Sequence, residues 1–222
     1  MNQVMKQARA SLFVLGLIFA VAQPATAETW RDKVAAFAAK NLQEDLFYFH
    51  SRRDYVLAKK LAAADHVTLD EDVIFAAAYL HDMGAVSAFA EPKKDHADVS
   101  AAKIDLVLGG TDFPKAKLDA VRAAIRTHNP NRNPISAEAR YLHDADILDN
   151  LGASGWAWAL ELVDKNGGKP TGPQMAGNFT NTTALEKGVV TSAGKAQLAV
   201  RVAEQKVFYD ALAQETDGFK NL

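Results

Sequence analysis

Apolar residues recur along this chain at intervals of three and four, the period of a helix with one buried face, and strand-like alternation is scarce. Val34, Phe37 and Ala38 give residues 30–42 an amphipathic face. Leu46, Phe47, Phe49, Val56, Leu57 and Leu61 continue the pattern over residues 44–64. Thr68 with Glu71 makes a capping-box pattern for a helix over residues 69–83, stopped by Gly84. Residues 95–108 read as a further helix closed by Gly109-Gly110. Pro114 suits the first turn of the next, whose stripe is Leu118, Val121 and Ile125 and which Asn129-Pro130-Asn131 breaks. Ser136 can cap a helix over residues 137–151, and residues 152–165 carry Trp156, Trp158, Leu160 and Leu162. Then comes one long break, residues 166–183, rich in Gly, Pro, Asn and Thr. A loop of that length inside a compact domain reads as a lid or binding loop. Leu198, Val202, Phe208 and Leu212 lie on one side of a last, long helix over residues 192–214. The expected fold is all-α, a single helical bundle with a long C-terminal helix.

The first 27 residues do not follow this pattern. Lys6 and Arg9 form a basic start, residues 11–22 a short apolar core, and Ala25-Thr26-Ala27 a small-x-small cleavage site, the plan of a secretory signal peptide. The apolar run is too short for a spanning helix, which needs roughly 18–20 residues. Cleavage after Ala27 would place a mature chain, residues 28–222, in the periplasm or outside the cell, with no membrane attachment.

At 222 residues the chain has room for one domain with a sizeable core. Loss of Lys6 and Arg9 leaves 23 of the 25 basic residues against 27 acidic ones, a net charge of −4. With no extended run of Lys or Arg, a nucleic-acid polymer or an anionic membrane is not the expected partner. There is no cysteine, so thiolate chemistry is excluded and any metal must be held by imidazole and carboxylate.

The six histidines carry the candidate chemistry. His81-Asp82 closes the apolar run Phe75-Ala-Ala-Ala-Tyr-Leu80, where a charged pair is expensive unless something neutralises it. His50 ends an aromatic stretch, Phe47-Tyr48-Phe49. Asp146 lies in the acidic face of Tyr141-Leu142-His143-Asp144-Ala145-Asp146-Ile147-Leu148-Asp149. An isolated His-Asp pair is as often structural as functional. Two imidazoles and two carboxylates from separate helices suit a divalent metal with an open position.

In that order, His50, His81-Asp82 and Asp146 resemble the H…HD…D signature of the HD-domain superfamily. The run from Ala76 to Gly84 is similar to that superfamily's apolar helix ending in His-Asp. The segment Asp144-Ala145-Asp146-Ile147-Leu148-Asp149-Asn150-Leu151-Gly152 resembles the "DADRLDALG" segment of its small bacterial phosphohydrolase-like members. Thr191, Lys195, Ala199, Arg201, Phe208, Leu212, Glu215 and Gly218 fall as in the C-terminal helix of the same subgroup. The resemblance spans nearly all of residues 28–222 and implies an HD domain there.

What it implies is a metal held by His50, His81, Asp82 and Asp146. Asp144 competes with Asp146 for the last position; the small-residue-Asp pairing favours Asp146 and leaves Asp144 as a partner that orients a ligand histidine. His96 and His128 stand where members with two metals place a second site, with Asp82 bridging; the alternative is that they contact substrate phosphate or cap helices. The ion would be Mn, Fe, Zn, Ni, Co or Mg, one or two per chain. His66 and His143 fit neither pattern and are expected on the surface or in structural roles.

The implied activity is a metal-dependent phosphohydrolase acting on a phosphomonoester or phosphoanhydride, a nucleotide among the candidates, with Asp82 as the catalytic residue orienting the attacking water. Arg53, one turn beyond His50, together with Lys94 and Arg132 would bind the small anionic substrate. No lysine follows Met83-Gly84 directly, where a basic residue is frequent in the family, which weakens any carry-over of phosphate contacts. Two other readings stay open: a di-iron HD-domain oxygenase and a non-enzymatic ligand-binding member. Core packing is the first reading of Trp156 and Trp158, with one of them a candidate pocket wall. The long C-terminal helix could pair with a copy of itself as a homodimer.

Overall fold

A computed structural model of the chain describes residues 28–42, 47–165 and 185–221, together with Gln174, Gly177 and Phe179. The expected signal peptide and most of the expected lid at residues 166–183 lie outside them. The regular elements among the described residues are helices: α1 (Trp30–Asn41), α2 (Phe47–Ala64), α3 (Glu71–Leu80), α4 (His96–Lys103), α5 (Asp105–Leu108), α6 (Leu118–Arg126), α7 (Ala137–Asp149), α8 (Gly152–Lys165) and α9 (Ser192–Glu215). Short 3₁₀ turns at Met83–Ala85, Lys115–Lys117 and Glu186–Gly188 punctuate them. No helix among the described residues is long and apolar enough to cross a membrane.

Helix α3 is the hub. It touches α1, α2, α6 and α7, and Ile74, Ala76, Ala77, Ala78 and Leu80 are fully buried. The three consecutive alanines let neighbouring helices approach on several sides, which bulkier residues would prevent. Helices α2 and α7 pack along each other beside it, closed by Leu61, Leu142, Ile147 and Leu148. Trp30 of α1 lies edge-on to Phe75 and Phe113, with centroids 5.6 and 4.8 Å away, and so seals the far side of the core.

Local chemistry corrects some expected boundaries. The capping box expected at Thr68 and Glu71 is not what starts α3. Asp70 is the N-cap and accepts from the backbone N–H groups of Asp72 and Val73, while Glu71 turns to the Tyr55 hydroxyl at 2.9 Å. Asp is the stronger acceptor and stands one residue from the helix, so it wins the orphan donors. The helix expected over residues 95–108 lapses at Ile104, which keeps helical dihedrals (φ −55°, ψ −27°) with its side chain fully buried. Pro114 precedes a 3₁₀ turn, and α6 begins only at Leu118. Ser136 caps α7 as its residue type suggests, accepting from Ala139 N–H. The C-terminal helix keeps few buried positions, Gly194 and Gln205, and leaves Val200, Val207 and Phe208 exposed.

Candidate metal centre

Five helices converge on one buried point. Helix α2 brings His50 and Asp54, one turn apart; the end of α3 brings His81 and Asp82; and α7 brings Asp146 and Asp149. Helix α4 opens with His96, and His128 lies two residues beyond α6. His50, Asp54 and His81 are fully buried, and Asp82, His128, Asp146 and Asp149 nearly so.

The imidazoles are oriented before anything binds. His81 Nδ1 lies 2.8 Å from the carbonyl of Ala78, and His128 Nδ1 lies 2.7 Å from that of Ile125. The same local device appears twice: a histidine closing a helix donates to the carbonyl three residues back. His50 Nδ1 lies 2.8 Å from Asp149 Oδ2. A neutral ring whose Nδ1–H is engaged presents its Nε2 lone pair, the form a metal requires. All three Nε2 atoms point inward.

His50 Nε2 stands 3.3 Å from His81 Nε2, 3.1 Å from Asp146 Oδ1 and 3.5 Å from Asp82 Oδ2. His96 Nε2 stands 3.1 Å from His128 Nε2. Asp82 faces both groups with different oxygens: Oδ2 is 3.2 Å from His81, and Oδ1 is 3.3 Å from His96 and 3.5 Å from His128. Lone pairs this close repel, and buried carboxylates need a counter-charge. A divalent cation among them removes both costs, and the donors fit one: those of His50, Asp54, His81 and Asp146 lie within 4.8 Å of one another, as do those of His81, Asp82 and His128, while Asp82 Oδ1 also faces His96.

Without metal, protons do that work. Burial disfavours the charged form of His50, yet the carboxylates of Asp54, Asp146 and Asp149 outweigh it and hold the imidazole well above its usual value. His81 is likewise opposed by burial and lifted to about 9 by Asp82. Burial would raise Asp82, but His81, His128 and His96 keep it well below the usual carboxylate range. Asp54 goes the other way: burial, with Asp149 and Asp146 nearby, pushes its carboxyl well above that range in spite of His50 and His81.

Arg53 does not reach into this centre. Its fork is spent on Asp149, with Nε donating to Oδ1 at 2.8 Å and a terminal nitrogen to Oδ2 at 2.7 Å. Asp149 thus joins Arg53 to His50 and fixes that ring. Arg53 also borders a separate cavity of about 560 Å³ beyond Asp149, lined by Arg52, Lys60 and Arg201 among others. Lys94 is exposed and paired with Glu91 at 2.6 Å, and Arg132 is paired with Asp95 and Asp98, both at 3.1 Å.

The cavity over the metal centre holds about 270 Å³ and is lined by Asp82, His96, His128, Asn129, Asp146, Asn150 and Trp158 with a few apolar residues. No Lys or Arg lines it among the described residues. Trp158 supplies the wall: its ring stacks on His50 with centroids 5.1 Å apart and planes 10° apart. Trp156 is core instead, donating its indole N–H to the Gln205 carbonyl at 3.1 Å.

Asp144 does not orient a ligand histidine. It accepts from the backbone N–H of Val190 (2.9 Å) and Thr191 (2.7 Å) and from the Thr191 hydroxyl, fastening the start of α9. Two residues turn a helix by about 200°, so Asp144 and Asp146 face opposite ways. His143 is buried between the carbonyls of Thr127 and Gly188, each 2.9 Å from a ring nitrogen, and His66 is exposed. Two residues of the centre escaped the sequence reading, Asp54 and Asp149. Their signal was spacing: Asp54 follows His50 by four, and Asp149 follows Asp146 by three, each on the same helix face.

Residues 47–151 match the family model of the HD domain. No curated protein matches the chain. Among solved structures it is similar to YpgQ of Bacillus subtilis, at 21% identity and a TM-score of 0.67 over 86% of this chain and 97% of that one. The structure of YpgQ in complex with ADP aligns at 19% identity and a TM-score of 0.65, covering 86% and 100% of the two chains. An HD-superfamily hydrolase of Bacillus thuringiensis aligns at 22% identity and a TM-score of 0.62, covering 84% and 96%. At these identities the structural likeness speaks for the fold. The matched residues 47–151 contain the ordered His50, His81-Asp82 and Asp146 set, and the fold of the chain is that of these solved structures.

Proposed function

We propose that this protein is a metal-dependent phosphohydrolase acting on a small phosphomonoester or phosphoanhydride. The observation that carries the reading is the pinning of three buried histidines, each engaged at Nδ1, with their Nε2 atoms facing the carboxylates of Asp82 and Asp146. A divalent ion there supplies Lewis acidity, polarising a phosphoryl oxygen and acidifying bound water. Asp82 lies between the two histidine groups, which supports its role as the residue that orients the attacking water. The half-buried His96 lines the cavity and is the side chain there to donate to a phosphoryl oxygen, whereas the amides of Asn129 and Asn150 are spent on Asp95 and Asp146. Trp158 walls the cavity against bulk water. With no Lys or Arg on the described walls, phosphate charge is met by the metal and imidazoles, so Arg53, Lys94 and Arg132 are assigned no direct contact. ADP in the YpgQ complex keeps a nucleotide among the candidate substrates.

The test is phosphate release from a panel of phosphomonoesters and nucleotides with Mn²⁺, Zn²⁺ or Fe²⁺ supplied. Asp82→Ala is expected to lose at least about a hundredfold in kcat, through loss of the carboxylate that joins the two histidine groups and orients the water. A full rate in that variant would sink the mechanism. Because Asp82 faces His96 and His128 as well, the same residues could hold two irons, and a di-iron oxygenase is the second reading. Oxygen uptake coupled to substrate loss would establish it, and equal turnover without air would remove it.

A further inference from the structure

The pattern that identifies the family accounts for four residues around the inner site, yet a fifth donor is present. Asp54 sits one turn after His50 on α2, is fully buried, and neither of its carboxylate oxygens has a hydrogen-bond partner. Its Oδ2 stands 3.1 Å from His50 Nε2 and 3.6 Å from His81 Nε2. Neither oxygen is held by a hydrogen bond, and Oδ2 faces the same two imidazole nitrogens that face the metal position, so the carboxylate is aimed at that position. Arg53, next in sequence, is committed to Asp149 and gives Asp54 no hydrogen bond.

We propose that Asp54 is a fifth protein ligand of the inner metal, making that site His2Asp3 with a single open position. The inference rests on the metal-centre reading above and deepens it. The spacing of the donors supports it. His50 Nε2 has four neighbouring donor atoms at 3.1 to 3.5 Å: Asp54, Asp82, Asp146 and His81. A tetrahedral vertex has three neighbours and an octahedral vertex has four, separated by about 3 Å when metal–ligand bonds are about 2.1 Å. His81 Nε2 lies 3.6 Å from Asp54 Oδ2 and 3.2 Å from Asp82 Oδ2, and the donors of His50, Asp54, His81 and Asp146 all lie within 4.8 Å of one another.

Two consequences follow from the donor count. Five ligands with three carboxylates suit a six-coordinate oxygen-preferring ion such as Mn²⁺ or iron better than tetrahedral Zn²⁺. One open vertex cannot seat both a substrate oxygen and a separate water, so the residues around the second position, His96 and His128, become necessary for turnover rather than accessory.

The experiment is Mn²⁺ binding to the full folded chain, read by calorimetry and by water-proton relaxation at one Mn²⁺ per two chains. The expected result is about one exchangeable water on the bound ion in wild type. Asp54→Asn is expected to weaken Mn²⁺ at least tenfold and gain a second exchangeable water. Two or more waters in wild type, or unchanged Mn²⁺ affinity in Asp54→Asn while Asp146→Ala loses it, would overturn the assignment and leave the metal centre intact. The water count in wild type needs no variant, so a misfolded Asp54→Asn does not shelter the proposal. No binding of any divalent ion by wild type would remove both the assignment and the reading beneath it.

Discussion

At the scale of single residues, orientation matters more than identity. His81 and His128 each spend Nδ1 on the carbonyl three residues back, a bond that any histidine closing a helix can make. That contact was therefore latent in the sequence, since both residues follow apolar helical runs. The clamp on His50 was not. Asp149 lies 99 positions away and becomes its partner only when α2 and α7 pack together. Arg53 fixes that carboxylate in turn. Asp149→Asn should therefore weaken metal binding by roughly 10–100-fold, the usual cost of losing a carboxylate behind a ligand histidine. Calorimetric titration with Mn²⁺ checks it, and an unchanged dissociation constant would show that the clamp does not matter. Arg53→Lys should follow in the same direction more weakly, because a point charge cannot hold both oxygens at once.

At the scale of elements, the helices were legible and their junctions were not. Periodicity marked α2, α3, α7 and α8 because each buries one or more faces. The start of α3 moved from Thr68 to Asp70, since competing acceptors two residues apart differ by less than a pattern can resolve. Gly84 stands where the sequence pattern stops a helix, and its deeper role is close approach. A Cβ there would meet the backbone carbonyl of His96 and lie 2.8 Å from Val99 Cβ. Backbone cannot yield, so Gly84→Ala should push α4 outward, displace His96 and reduce activity more than global stability. Parallel measurement of kcat and melting temperature separates the two. Asp144 shows the opposite error. Its acidic motif suggested chemistry, yet it fastens α9 through Val190 and Thr191. Asp144→Ala leaves those buried donors unpaired and should cost about 1–3 kcal/mol, seen as a lower urea midpoint at unchanged metal affinity per folded chain.

For the whole molecule, the centre couples folding, protons and metal. His81 is raised from 6.5 to about 9 by Asp82, so in metal-free protein its contribution is complete below pH 6.5 and lost as pH rises through about 9. Asp82, held well below its ordinary value, contributes above the usual carboxylate range and loses that contribution only on strong acidification. The metal-free protein should therefore lose stability between about pH 6.5 and 9. Metal competes for the same nitrogen, so its affinity should rise over that interval. Melting curves with and without Mn²⁺ across this range should diverge, the loaded form gaining about 2.7 kcal/mol at a hundredfold excess over Kd. Parallel curves would exclude the linkage.

The sequence by itself determined the all-helical class, most helices, and the ordered set His50, His81-Asp82, Asp146, because periodicity and local motifs are short-range properties of the chain. Only the tertiary structure decided which acidic residues share the centre. It brought Asp54 and Asp149 in, turned Asp144 away to α9, and committed Arg53, Lys94 and Arg132 to ion pairs of their own. The reason is physical. A carboxylate's role depends on which helix face meets which neighbour, and that is fixed by packing between segments up to a hundred residues apart.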